Sequence, residues 1–569
     1  MKFIKYRILF VVAAGLLVSS CDKQAFVDIN KDPDALTTIP PQNQFLNASV
    51  SIHSQDFEAF YDLYQRIMPW MQYTTALNGN QGAFTQNWDN FSQRYGRLYN
   101  GVGDRLYDLE QLVGRLEANE QARYVHMIRI ARILKAYYTF YVSDIYGSIP
   151  YSDAFQGRYG GTLEPTYDSQ QQIFARLDEE LKEAIATLKA APTVPQVSLG
   201  TYDQYYGGNA QQWVKAGNAL RLKIAMRQLK ADAAKATAII NEVLAQPAAD
   251  LMASNADSWI FVARTNFTGN DNGSNWNPSN LRAPKPIVDF MWANQDPRID
   301  AFFTPNSYSQ ANINLLIANG QLPAGTQEPA RRYVGSYTNP DDTRNNAIIQ
   351  RFYTPRRVTN NGQEIQVDTL SFIQPRLFSA IFTDASGNVG TGRSYLPVIT
   401  YADYCFMRAE VAARGIGTGS TKEWYEAGIT SSINWYNDIA VGGQFTNYTP
   451  VTPAEITAYL AKPAVAFDAS KALDQIASQA YLHFLKQPSE GWATWKRTGF
   501  PNPTSTVPMP TLTNLGATLV IPRRAPLGIP NPSSPNYANR QAAYDAMAQI
   551  AGFGRDPQDA TGRVWWDRP

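Results

Sequence analysis

Three histidines and two cysteines are this chain's whole supply of the side chains that most often carry zinc or nucleophilic chemistry. His53, His126 and His483 lie far apart, with none of the short spacings of a zinc site. There is no Gly-x-Ser-x-Gly elbow. Cys405 sits in the apolar run Tyr404-Cys-Phe-Met, which predicts a buried, inert thiol. A Ser or Cys nucleophile with a His base is therefore poorly supported. Gly415-x-Gly417-x-Gly419 follows a helical pattern, whereas a dinucleotide site needs a strand before it, so it reads as a loop between helices. Asn270-Asp271-Asn272-Gly273 and Asp384-Ala-Ser386-Gly-Asn388 approach a calcium loop but lack its terminal Glu, and read as polar turns. No cofactor or metal is expected. Carboxylate pairs for glycoside hydrolysis are decided by distance, so spacing leaves them open. Arg497, Arg523, Arg524 and Arg563 accompany Trp492, Trp495, Trp565 and Trp566, a grouping that reads as stacking and ion pairing rather than an anion site.

Binding chemistry is better represented. Aromatic residues make up 12% of the chain and charged ones only 17%, with a net charge of +1 and no basic stripe. That balance argues against nucleic-acid binding and suits a surface that meets neutral polar ligands. Sugar faces pack on flat aromatic rings while amides grip the hydroxyls, so a glycan site needs Trp or Tyr beside Asn or Gln on loops. Two stretches fit: Tyr73–Tyr95 and Asn266–Trp292. The candidate ligand contacts are Tyr73, Asn78, Asn87, Trp88, Asn275 and Trp276, against the competing reading that a loop Trp anchors local packing.

The amino terminus supplies an address. Lys2, Lys5 and Arg7 precede an apolar run from Ile8 to Val18 and then small residues, the layout of a secretory signal. The run is shorter than the ~20 residues a spanning helix needs. Cys21 follows Ser19-Ser20, where a bacterial lipoprotein signal peptidase expects its lipid acceptor, although Val18 stands where Leu is usual. Residues 1–20 thus read as a lipoprotein signal peptide, with Cys21 lipidated and the mature chain tethered to a membrane without crossing it. Cys405 is then left without a disulfide partner.

The elements that must position any site are mostly helices. Residues 21–43 read as a tether and extended lead-in, with Asp-Pro and Pro-Pro breaks. Apolar spacing predicts helices over 44–53, 56–75, 89–116, 122–146, 168–190, 211–229 and 232–245, with Asp168 capping the fifth. From about 250 to 398, Asn, Gly, Pro, Thr and aromatics dominate. This reads as a loop-rich excursion with short strands and helices near 284–294 and 311–318. Helices return at 401–412, 421–439, 453–461 and 468–486. Glu179, Glu180 and Glu183 with Lys182 read as a solvated helix face. The paired helices around 211–245 have a tetratricopeptide-like look.

Several blocks together resemble a known family. The helix ending Asp144-Ile-Tyr-Gly147, continued by extended Ile149-Pro150-Tyr151, is one. The lead-in Phe26-Val-Asp-Ile-Asn-Lys-Asp-Pro33 is another. The others are the pair Tyr401–Ala412 and Trp424–Tyr436, the segment Glu490-Gly-Trp492-Ala-Thr-Trp495-Lys-Arg497-Thr-Gly, Ile521-Pro-Arg523, Asn536-Tyr-Ala-Asn539, and the tail Arg563-Val-Trp-Trp-Asp567. In order and spacing these resemble SusD/RagB-type nutrient-binding outer-membrane lipoproteins across nearly all of residues 21–569. Ser148 and Asp403 depart from that pattern, standing where an acid and a Glu are common. The resemblance implies a mainly α fold in one SusD-like domain over 44–569, with tetratricopeptide-like helix pairs supporting a loop-rich ligand face that holds short strands. It implies a surface position on the outer membrane, no catalysis, and a TonB-dependent transporter of SusC type as partner. The ligand implied is an oligosaccharide or a peptide captured and handed on, at loops after the early helices and in the mid-chain excursion.

Overall fold

A computed structural model describes residues 39–53, 58–80, 84, 93–263, 281–378 and 393–569. The candidates Cys21, Asn87, Trp88, Asn275 and Trp276 and both calcium-like turns lie outside these residues. Helix α1 (Pro41–Ser51) leads into a wide helical turn (Glu58–Ile67) and strand β1 (Thr75–Ala76). Helices α2 (Gly103–Gly114), α3 (Val125–Tyr146), α4 (Gln170–Lys189), α5 (Ala210–Arg227) and α6 (Ala233–Leu244) follow. The chain then forms β2 (Trp259–Ala263), β3 (Leu281–Arg282), α7 (Lys285–Ala293), β4 (Phe303–Thr304), β5 (Phe372–Ile373) and β6 (Ser394–Ile399). Next come α8 (Tyr401–Ala413), α9 (Thr421–Gly442), α10 (Ala472–His483) and α11 (Pro488–Thr498), and a last helix, α12, spans Tyr537–Met547. The expected mainly helical class is what forms.

Met127, Ile130, Ala131, Leu134, Tyr138 and Ile145 share one face of α3 because 3.6 residues complete a turn, and all are buried. This helix packs on α4, α4 on α5, α5 on α6, and α8 on both α9 and α10. One apolar cluster runs from Phe45 to Trp566, and a small satellite of Leu316, Val358 and Val367 sits within the excursion. Gly147 ends α3 with φ +77° and ψ −120°, a backbone state closed to residues with a Cβ. Ile149-Pro150 then pairs antiparallel with Tyr167-Asp168.

Two local expectations are corrected. The cap of α4 is Ser169, whose Oγ accepts from the Gln172 N–H while the Gln172 side chain reaches back, forming a capping box. Asp168 instead accepts from the Tyr151 and Ser152 N–H groups (3.0 and 2.8 Å) across the strand pair. The helix expected over 89–116 is broken at Asn100 and Gly101, where Gly101 takes φ +151° and donates its N–H to Asp104 (2.7 Å), so α2 starts afresh.

Charges hold the helical layers in register. Lys223 and Arg227 of the buried helix α5 meet Glu490 of α11 (3.1 and 2.7 Å), with Asp403 of α8 (2.5 Å) on Lys223 and Asp144 of α3 (3.0 Å) on Arg227. Glu410 of α8 takes Arg497 of α11 and Arg414. The carboxyl terminus closes the same region: Trp566 Nε1 donates to the Asp144 carbonyl (2.8 Å), and Arg523 and Arg563 share Asp567. The expected stacking and pairing of the terminal Arg and Trp residues is what these contacts show, with Arg523 4.6 Å from the Trp495 ring. His483 is a neutral core residue, bonded to Thr400 (2.7 Å) and Ser432 (3.1 Å). Burial, reinforced by Arg298 and Lys223, holds it well below the ordinary histidine range.

Candidate binding face

Strand β1 is two residues long, too short to carry a hydrophobic period, so its neighbours hold it. Thr75 pairs with Arg282 and Ala76 with Leu281, antiparallel. Strand β3 continues to β5 and β5 to β4, giving the sheet order β1-β3-β5-β4. This joins the two stretches singled out for ligand binding, because the chain leaves β1 toward Asn78 and enters β3 from residues 266–280. The Arg282 side chain is buried at the joint. It donates to the Leu77 carbonyl (3.1 Å) and Asp368 (2.8 Å), and its guanidinium lies 4.2 Å from the Phe372 ring.

Asn78 is exposed at the tip of a tight turn closed by the Gly79 N–H on the Ala76 carbonyl (3.1 Å). Gly79 has φ +94°, and a Cβ there would meet the Thr343 side chain at 2.6 Å, so the turn fits only glycine. Asn80 braces it from below, donating to the Thr338 carbonyl (2.8 Å) and accepting from the Ala76 N–H (2.9 Å). The segment 338–343 in turn fastens a hairpin (Thr513–Asn514 with Ala517–Thr518). Asn339 accepts from the Thr513 N–H (2.8 Å), and Asp341 from the Leu515 and Gly516 N–H groups (2.6 and 3.0 Å). Those backbone donors hold the Asp341 carboxyl below its ordinary range.

Tyr73 does not belong to this face. Its ring stacks on Tyr481 (4.4 Å between centroids), its hydroxyl donates to the Tyr481 carbonyl (2.9 Å), and it is fully buried. It closes an apolar run from Met68 that turns inward before β1, and Gly491 leaves room for its hydroxyl. Tyr73 is thus a packing residue, correcting its place among the ligand contacts.

Helix α7 forms the other half of the face. Lys285, Asp289 and Trp292, at spacings of four and three, share one side. Lys285 and Arg331 both pair with Asp289. Trp292 is 37% exposed, 6.3 Å from the Tyr333 ring and 5.9 Å from the Arg331 guanidinium. Clefts open on both flanks of α7. One, of about 590 Å3, is lined by Phe290, Tyr337, Thr338, Asn339, Asp342 and Pro510, and so adjoins the segment that braces the Asn78 turn. The other, of about 490 Å3, is lined by Tyr308, Arg331, Tyr337, Arg351 and Phe352. Lys285, Asp289 and Tyr337 line both. These volumes lie in the range of ligand sites, and the mixture of rings with a few polar groups is what a sugar or short oligomer requires. In the larger cleft, burial and the adjacent Asp341 raise the Asp342 carboxyl above its ordinary range. Lys285, Arg331 and Tyr337, which line these clefts, were missed; the spacing of Lys285, Asp289 and Trp292 on one helix face pointed only to the first, and no local signal marks the other two.

A family model described as starch-binding and associating with the outer membrane matches residues 33–526, and the chain belongs to this SusD-like family. Among solved structures, a chitin-binding protein superposes with a TM-score of 0.68 at 21% identity, over 93% of this chain and all of that one. A SusD homologue from Bacteroides fragilis gives 0.64 at 18%, over 93% of this chain and 100% of the other. A chitin-binding SusD homologue from Flavobacterium johnsoniae gives 0.61 at 20%, over 93% and 98%. These likenesses show the fold. No curated protein sequence matches the chain. Among the described residues no helix is long and apolar enough to cross a membrane.

Proposed function

We propose that this chain is a surface lipoprotein, anchored through Cys21 to the outer membrane, that captures oligosaccharides and passes them to a TonB-dependent transporter of SusC type without cleaving them. The observation that carries the reading is the joining of the Asn78 turn to α7 and its two aromatic-lined clefts through the β1–β3 pair. Membership of a family described as starch-binding supports it, as does a fold shared with two chitin-binding proteins. Asn78 and the rings of Trp292 and Tyr337 are proposed ligand contacts among the described residues, and Asn87, Trp88, Asn275 and Trp276 are proposed as further contacts on the strength of their residue types. Residues 44–569 act as one SusD-like domain in this reading. An array of immobilised oligosaccharides and peptides probed with the purified protein tests it: retention on one glycan class is expected, and retention on peptides alone contradicts it. Cross-linking in native membranes should recover the transporter.

A further inference from the structure

The two clefts beside α7 differ in charge. The larger is lined by one cation, Lys285, and two carboxylates, Asp289 and Asp342. The smaller is lined by three cations, Lys285, Arg331 and Arg351, and by Asp289 as its one carboxylate among the described residues. Lys285 and Arg331 divide Asp289 between them, and Arg351 forms no ion pair among the described residues. The neighbouring Arg332 and Glu328 cancel each other. The smaller cleft is therefore left with about two uncompensated positive charges. Its wall carries the Tyr337 and Phe352 rings, edge to face at 5.6 Å, with the Arg351 guanidinium 5.1 Å from Phe352 and the Lys285 ammonium 5.9 Å from Tyr337. Cations beside flat rings in one concavity suit a sugar ring that bears an acid. The ring packs on the aromatic wall, and the carboxylate takes the guanidinium fork in two parallel hydrogen bonds.

We propose that the cleft lined by Lys285, Arg331, Arg351, Tyr337 and Phe352 binds an acidic sugar unit, a uronate, of the captured oligosaccharide. The inference rests on the glycan-binding reading and narrows it. Because both clefts share the Lys285–Asp289 ridge, one oligosaccharide crossing α7 places its acidic unit in the smaller cleft and neutral units in the larger. Gly335 keeps the smaller cleft in shape. A Cβ there would lie 2.3 Å from the Lys285 Cα, where Lys285 N–H meets the Ser336 carbonyl (2.7 Å).

The test is calorimetric titration of the purified protein with galacturonate, mannuronate and glucuronate tetrasaccharides, each beside its carboxyl-reduced neutral counterpart. At least one uronate should bind about tenfold more tightly than its neutral counterpart, and the preference should shrink as salt rises. Arg351 is exposed, so Arg351→Gln keeps the fold, which circular dichroism checks. The substitution should remove the preference by lowering uronate affinity about tenfold, and Arg351→Lys should restore part of it. Equal affinity for all acidic and neutral pairs overturns the inference while leaving glycan capture standing, as does a preference untouched by Arg351→Gln. Binding of no saccharide of either kind overturns both.

Discussion

Glu490 lies between two buried cations, and its ionisation shows how the scaffold manages charge far from water. Burial opposes its charged form, but Arg227 and Lys223 outweigh that and hold the carboxyl down to about 2. His53, stacked 4.8 Å from Phe261, is held by burial at about 3, well below the ordinary 6.5. In both cases the unfolded chain binds protons that the folded chain refuses, so stability falls on acidification. For His53 the contribution is full above pH 6.5 and lost toward pH 3. For Glu490 it is full above 4.5 and lost toward 2. Urea midpoints followed across this range should decline in two overlapping stages, with His483 sharing the upper one, and His53→Phe should reduce that stage without abolishing it; an unchanged profile contradicts the assignment. Removing Glu410 leaves Arg497 buried without its carboxylate, so Glu410→Ala should cost about 3–5 kcal/mol in the same assay. The motifs holding Asp144, Asp403 and Glu490 were legible as blocks of sequence, but their mutual pairing was not. Arg227 lies 83 residues from Asp144 and 263 from Glu490, and nothing local signals such a contact.

At the scale of elements, legibility followed length. Helices α3, α4, α5, α8 and α9 announce themselves because an apolar stripe repeated over several turns has one good solution. The sheet of the binding face does not. Strands β1, β3, β4 and β5 are two residues each, set by tertiary partners such as Arg282 rather than by pattern. The cap at Ser169 was misplaced by one residue because Asp168 is an equally good cap by type, and only the strand pair at Ile149 draws it away. The break at Gly101 was missed because the apolar spacing runs on through it. Gly335 is where backbone approach decides the shape of the face. Gly335→Ala must part the Pro284 and Ser336 backbones, and should lower stability by about 1–3 kcal/mol and weaken ligand binding. Thermal unfolding and titration of the same variant check both effects.

For the whole molecule, a helical scaffold stitched by buried charges carries a face assembled from two distant parts of the chain. The parts were each legible in sequence as aromatic and amide-rich, and their meeting was implied by the family resemblance. The residues that complete the face around α7 were not, since Lys285, Asp289 and Arg331 look like ordinary surface side chains until the fold sets them around a cleft. The central claim is that this face holds an oligosaccharide and leaves it intact. Titration of the purified protein with the glycan selected on the array, following tryptophan fluorescence and recovering the sugar for mass spectrometry, tests it most directly. A saturable change is expected, weakened at least about tenfold in Trp292→Ala and Asn78→Ala, with the sugar recovered whole. Shortened sugar in the recovered fraction, or affinity unaltered in both variants, contradicts it.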